Sequence, residues 1–229
     1  MNKDKQKEIL KIVRQNYEEI AESFDETREK PLWPPLVEFL KEVKGGEKVL
    51  DAGCGNGRLL RALGTKKIKY FGTDLSENLI KICREKYPDN NFSVADILNL
   101  GILVEYDFDW VFSIAVLHHL PGLDLQVAAL KQLKNKVKAD GRIVLTVWNM
   151  WSEDRFKKML WKFFLLKLIG RNQMDFGDVL FDWKRSGMTS KRYYHAFRRC
   201  ELKKIVKRAG LKIDKITRDR FNYYLILKK

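Results

Sequence analysis

The chain has 229 residues, 45% of them hydrophobic, with 45 Lys/Arg against 30 Asp/Glu and a formal net charge of +15. That length suits one domain with insertions and a substantial core. No run approaches the roughly 18 apolar residues of a membrane span; the nearest, Met159 to Ile169, carries Lys162 and Lys167, so stable membrane insertion is not expected.

Ile9, Ile12, Val13, Tyr17, Ile20 and Phe24 recur at helical spacing and predict one helix over 5–23. Pro31, Pro34 and Pro35 interrupt regular structure, and a short helix over Leu36 to Val43 ends at Gly45-Gly46. A strand at Lys48 to Asp51 leads into the turn Gly53-Cys-Gly55-Asn-Gly57 and a helix over Asn56 to Leu63. Strands follow at Tyr70 to Asp74, Phe92 to Asp96, Phe108 to Val116 and Arg142 to Trp148. Helices over Glu77 to Tyr87, N-capped by Ser76, and over Leu125 to Val137 separate them. This alternation predicts an α/β fold, a parallel sheet with helices on both faces.

The pattern breaks over 150–197, where an aromatic helix (Glu153 to Ile169) precedes a polar loop containing Gly177 and Gly187. An insertion after the fifth strand sits above the carboxyl edge, where open α/β sheets bind ligands, and is expected to form a helical lid. A helix over Cys200 to Ala209 and strands at Leu211 to Thr217 and Phe221 to Leu227 finish the chain. A single domain is expected, divided into an N-terminal helical segment (1–45), a ligand-binding core (46–149), the lid (150–197) and a final helix and strand pair (198–229).

The three cysteines, Cys54, Cys83 and Cys200, are far apart and form no CxxC pair, which argues against a disulfide framework or a cysteine zinc site. Three histidines without ligand spacing give no expected metal site. The start, MNKDKQKEIL, lacks an apolar signal region, so a cytoplasmic location is expected. Residues 184–229 hold sixteen Lys/Arg and three Asp/Glu, a net of +13, against +2 for residues 1–183. A basic surface concentrated this way attracts polyanions. Arg185, Lys191, Arg192, Arg198 and Arg199 are the candidate phosphate-binding group.

Val49 to Gly57 carries the chemistry. Glycines admit positive φ and let backbone N–H groups approach a ligand. The spacing here is G-x-G-x-G preceded by Asp51, not the G-x-G-x-x-G of a dinucleotide site. A carboxylate beside the turn repels pyrophosphate and suits a cationic ligand such as S-adenosylmethionine. Asp74, ending the second strand, can accept both ribose hydroxyls. Asp96, ending the third, can accept from an adenine amino group, with Ile97 against the ring.

The segments VLDAGCGNG, GTDLS, VADIL and SIAVLHHL resemble class I S-adenosylmethionine-dependent methyltransferases over roughly Lys48 to Asn149. The resemblance implies a Rossmann-like seven-stranded, mostly parallel sheet with an antiparallel last strand. It also implies backbone contacts at Gly53 and Gly55, ribose at Asp74 and adenine at Asp96. Tyr17, Arg28, Cys54, Leu75, Ser76, Ala115 and His119 complete the expected donor-binding set.

Tyr17 to Arg28, Lys30-Pro31 and Trp33-Pro34, Ser113 to His119, Val147-Trp148, and Arg192-Tyr-Tyr-His195 with Glu201-Leu202 are similar to a narrower family, the tRNA wobble-uridine carboxymethyl methyltransferases. That similarity implies methyl esterification of 5-carboxymethyluridine in tRNA, often with a small zinc-binding activator protein as partner. The chain departs from the pattern at Leu32, which is inserted, and over Met150 to Lys184. A small-molecule methyltransferase, for example of a quinone precursor, and a non-catalytic donor-binding subunit are the alternatives.

Methyl transfer from a sulfonium is an in-line displacement governed by approach and alignment. A carboxylate acceptor, with an ordinary pKa of about 4, needs no general base. Orienting groups are therefore expected near the methyl. Arg28, His118, Tyr194 and His195 are the catalytic candidates, with one of His118 and His119 facing the site and the other the protein.

Overall fold

A computed structural model describes residues 1–28, 30–185 and 188–229, without the side chains of residues 183–185, 188 and 189. Five parallel strands form most of one sheet: β1 (Lys48–Ala52), β2 (Lys69–Asp74), β3 (Asn91–Val94), β4 (Phe108–Ile114) and β5 (Val137–Trp148). With β8 (Lys212–Arg218) and β9 (Asn222–Lys228) the spatial order is β3-β2-β1-β4-β5-β9-β8, and β9 runs antiparallel to both its neighbours. The seven-stranded sheet with an antiparallel last strand is thus as expected. The connections reverse direction between β1 and β4, which opens a crevice at the carboxyl edge.

Helices cover both faces. On one, α6 (Leu123–Lys136) and α8 (Arg199–Arg208) bury Leu130, Leu133 and Ile205 against Leu145 and Leu225. On the other, α3 (Pro34–Lys41), α4 (Arg58–Leu63) and α5 (Glu77–Lys86) bury Leu36, Leu59 and Ile80 against Val49 and Phe112. The central strands read as continuous apolar runs because neither face meets water.

Three expectations need correction. The helix over 5–23 is two helices, α1 (Lys3–Glu19) and α2 (Ala21–Thr27), broken at Ile20 (φ −97°, ψ 5°). The break keeps Ile20 buried and brings Phe24 to the glycine turn, 3.1 Å from where a Cβ on Gly55 would lie. The third strand ends at Val94, so Asp96 lies in the turn beyond it, where its Oδ1 accepts the Leu98 N–H at 2.8 Å.

The third correction concerns the insertion. It is not helical throughout. After α7 (Asp154–Leu168), the expected polar loop forms an antiparallel hairpin, β6 (Asp178–Arg185) with β7 (Met188–His195); Gly187 lies outside the described residues. Val179 and Tyr194 on one face pack with Phe156 and Leu160 of α7. Leu180 and Tyr193 on the other pack with Ile9 and Val13 of α1. Both faces are covered, so the period-two alternation that betrays a half-buried strand is absent.

The buried carboxylate of Asp178 ties off the hairpin. Its Oδ1 accepts from the Tyr193 hydroxyl (2.7 Å) and faces His195 Nδ1 (2.6 Å), and its Oδ2 accepts the Asp175 N–H (2.8 Å). Asp178→Ala is expected to lower the unfolding free energy by about 1–3 kcal/mol, and Tyr193→Phe by about 1 kcal/mol. Urea denaturation checks both, and an unchanged midpoint for Asp178→Ala would deny it an anchoring role.

Candidate active site at the carboxyl edge of the sheet

A cavity of about 680 Å³ opens at the crevice, within the range of small-molecule sites. Its floor is the turn between β1 and α4. The N–H groups of Gly53 and Cys54 both donate to the Thr73 carbonyl, at 2.7 and 2.8 Å, which fastens the turn to β2. Gly53 sits at φ +88° and a Cβ there would lie 2.2 Å from Val116 Cγ2. Only glycine satisfies both the backbone and the space.

Asp51 is buried at the end of β1 and lines the cavity. Its Oδ2 accepts from the Tyr70 hydroxyl at 2.8 Å, while Oδ1 has no partner among the described residues. Burial lifts its carboxyl to about 7, against the opposing pull of the Tyr70 bond. Such a carboxylate is poised for a cation, because a buried unpaired charge is costly until one arrives. Asp74 accepts Gly55 N–H on Oδ2 and Ser76 N–H on Oδ1, both at 3.0 Å. Each oxygen keeps a further lone pair for a ligand hydroxyl, and burial raises this carboxyl too.

Cys54, also on the cavity, sits beside Cys83, whose thiol donates to the Gly55 carbonyl at 3.1 Å; the neighbouring Cys83 thiol and burial push the Cys54 thiol well up. It is a thiol filling space, not a nucleophile. The residues present thus fit S-adenosylmethionine: an orphaned carboxylate oxygen for its cationic groups, bare backbone, and acceptors for ribose and adenine.

The opposite wall follows β4. Ala115 holds φ +59°, an uncommon conformation for a residue with a Cβ. Its N–H donates to Thr146 Oγ1 at 3.0 Å and to the Thr146 carbonyl at 3.1 Å. Beyond it, His118 and His119 are both buried and both line the cavity, so they do not divide into one facing in and one facing away. The Trp148 N–H points at His118 Nδ1 (3.4 Å), which assigns the proton to Nε2, an atom without a partner among the described residues. Tyr17 Oη lies 2.9 Å from His119 Nε2, and His119 Nδ1 lies 3.3 Å from the Tyr193 carbonyl. Burial holds His118 well below its ordinary value and pushes His119 down to about 4, so both rings are neutral at pH 7.

Every residue expected to hold the donor lies on this cavity, together with Arg28 and His118. Tyr194 and His195 do not. Tyr194 packs behind the histidines, with ring centroids 4.7 Å from Trp148 and 5.1 Å from His119, and His195 faces Asp178. Neither lines the cavity; both stand behind its wall. Of the expected phosphate-binding residues, Lys191, Arg192, Arg198 and Arg199 are absent from the lining. Arg192 turns inward to hydrogen-bond Tyr194. Arg198 lies over the Trp151 ring at 4.5 Å, while its N–H donates to Glu201 Oε2 at 2.6 Å to cap α8. Lys191 and Arg199 are exposed, and the Arg185 side chain lies outside the described residues.

Other cations line the cavity instead: Lys11 and Arg14 of α1, Arg58 at the start of α4 and Arg155 of α7. Arg14 stands one helical turn from Tyr17, a face neighbour readable from spacing. Arg58 directly follows the glycine turn in sequence.

The raised carboxyl of Asp51 sets a pH dependence. A cationic ligand binds the ionised form, so below pH 7 binding must first expel a proton. Affinity for S-adenosylmethionine is expected to be about tenfold weaker at pH 6 than at pH 8, and Asp51→Asn to abolish that slope. Titration calorimetry across pH reads both, and a flat profile for the parent chain would remove Asp51 from the ligand's surroundings. Gly53→Ala is expected to abolish binding by the clash with Val116.

A family model described as a methyltransferase domain matches residues 50–145. The chain is 37% identical over 165 residues to tRNA (carboxymethyluridine(34)-5-O)-methyltransferase ALKBH8 of Mus musculus, covering 72% of this chain and 24% of that protein. It is 38% identical over 136 residues to the tRNA (carboxymethyluridine(34)-5-O)-methyltransferase of Saccharomyces cerevisiae, 59% of this chain and 47% of that one. The chain thus spans less than half the length of these relatives. The protein of the same name from Schizosaccharomyces pombe is 28% identical over 95% of this chain and 96% of its own length. Among solved structures, an S-adenosylmethionine-dependent methyltransferase of Methanosarcina mazei superposes with a TM-score of 0.70 at 18% identity, covering 87% of this chain and 99% of that one. The putative methyltransferase bound to the Haloferax volcanii Trm112 activator does so with 0.65 at 18% identity, covering 93% and 96%. The matching segment, the shared strand order and a ligand-binding edge of the expected composition give residues 50–145 a methyltransferase domain on a Rossmann-like fold.

Proposed function

We propose that the chain transfers a methyl group from S-adenosylmethionine to the carboxylate of 5-carboxymethyluridine at the wobble position of tRNA, forming the methyl ester. The observation that carries this reading is the alignment with the Schizosaccharomyces pombe enzyme along 95% of this chain. The small-molecule alternative rests on likeness of fold alone.

The donor, when bound, supplies an electrophilic methyl carbon. The acceptor carboxylate is already ionised at neutral pH, so the chain has only to orient it and exclude water. The neutral rings of His118 and His119 and the buried Tyr17 hydroxyl suit that role, because they offer hydrogen bonds without competing for a proton. Arg28 supplies a planar guanidinium on the same cavity. The cations on the lining, Lys11, Arg14, Arg58 and Arg155, favour a polyanionic acceptor and make its binding salt-sensitive. A small zinc-binding activator protein is the proposed partner, in keeping with the Trm112 methyltransferase activator in complex with the similar Haloferax volcanii protein, and the cytoplasm the proposed location.

Incubating the chain with labelled donor and undermodified tRNA, with and without such an activator, tests the reading. Label is expected in the methyl ester of the wobble uridine. No labelled nucleoside under either condition would sink the substrate assignment.

A further inference from the structure

Helix α7 is apolar on two faces, and only the inner one is covered among the described residues. Phe156, Leu160 and Phe163 form the inner stripe and pack on the hairpin. Trp161, Leu165, Leu168 and Ile169 follow one another at helical spacing on the outer side and are 57–63% exposed. Phe164 and Phe176, both exposed, extend this face: their ring centroids lie 5.4 Å apart, and Trp161 lies 5.4 Å from Phe164. A helix apolar all round is normally buried, and an exposed patch of this kind marks an interaction surface. None of these six outer residues lines the donor cavity.

The charge around the patch selects what covers it. Residues 155–174 hold six Lys/Arg and no Asp/Glu. Lys158 and Lys162 are exposed on the side of α7 that carries Trp161 and Leu165, and Arg171 is exposed just beyond its end. The Lys167 ammonium lies 5.3 Å from the Phe176 ring and donates to the Met174 carbonyl, which fastens the following loop to the helix. A second copy of the chain docked here by two-fold symmetry would set this basic patch against itself. RNA has the complementary charge, but bases stack on rings and leave Leu165, Leu168 and Ile169 in water. A bilayer bearing anionic headgroups meets both demands. Its acyl boundary takes an apolar ridge of any shape, and flanking lysines reach back to the headgroups.

We propose that the outer face of α7, with Phe176, docks on an anionic lipid surface. The helix lies in the plane of the headgroups, with Trp161, Leu165, Leu168 and Ile169 immersed at the acyl boundary. Its 15 residues fall short of the roughly 20 that span a bilayer, and its inner stripe is committed to the hairpin, so the contact is peripheral and reversible. It does not depend on the identity of the methyl acceptor.

The basic C-terminal fifth would by itself draw the chain to anionic vesicles, so the test reads this helix specifically. The parent chain is cosedimented with phosphatidylcholine vesicles with and without phosphatidylglycerol, and tryptophan emission is recorded. Binding is expected with phosphatidylglycerol and to be far weaker without it, accompanied by a blue shift that Trp161→Phe removes. The double variant Leu165→Gln/Leu168→Gln is expected to bind anionic vesicles about tenfold more weakly or worse. Lys158→Gln/Lys162→Gln is expected to lose about twentyfold, the share of two lysines at such a surface. Affinity for S-adenosylhomocysteine is expected to stay within about twofold in every variant, which certifies folding. No binding to the phosphatidylglycerol vesicles would overturn the proposal. So would vesicle binding that both double variants leave unchanged, which would give the attraction to the C-terminal fifth. A fall in affinity for an anticodon stem-loop RNA in Leu165→Gln/Leu168→Gln, with vesicle binding unchanged, would give the face to nucleic acid instead.

Discussion

One oxygen of Asp51 is buried without a partner among the described residues, and the rest of the site is arranged around that imbalance. An ionised carboxylate in a low-dielectric setting demands either a proton or a cation. The fold closes off other remedies. Oδ2 is engaged by Tyr70, no cationic side chain among the described residues pairs with Oδ1, and the glycine turn beside it presents mostly backbone. The turn cannot relax, because two of its N–H groups share the Thr73 carbonyl and a third is held by Asp74. A positively charged nucleoside ligand completes what the chain leaves open.

The opposite wall achieves a different end by burial. His118 and His119 are kept neutral, and each has one nitrogen assigned by a neighbour: the Trp148 N–H for one, the Tyr193 carbonyl for the other. Tyr193 is also where the hairpin grips the fold, through Asp178 and through the apolar contact with α1. The insertion and the histidine turn are therefore mechanically one unit. Tyr194 and His195, whose chemistry suggests catalysis, serve as packing and as an anchor.

Charge follows the same logic. The excess of Lys/Arg is concentrated in residues 184–229, yet the cations on the cavity come from α1, the end of α2, the start of α4 and the start of α7. Long-range attraction for a polyanion depends on the summed field, whereas positioning depends on the few groups within hydrogen-bond reach. The charge excess and the cations on the cavity thus come from different parts of the chain.

The sequence by itself determined the strand-helix alternation, the glycine turn and the three acidic residues at or just beyond successive strand ends. Those features obey local rules: backbone conformation, side-chain period, and the chemistry a ligand of known charge requires. Tertiary structure alone decided that 178–195 is a hairpin, because packing on both faces erased its alternation. It decided that one predicted helix breaks at the buried Ile20, which turns the following helix so that Phe24 meets the glycine turn. It also decided which arginines meet the cavity, because Arg28 and Arg58 are thirty residues apart and only the docking of α2 over the glycine turn makes them neighbours.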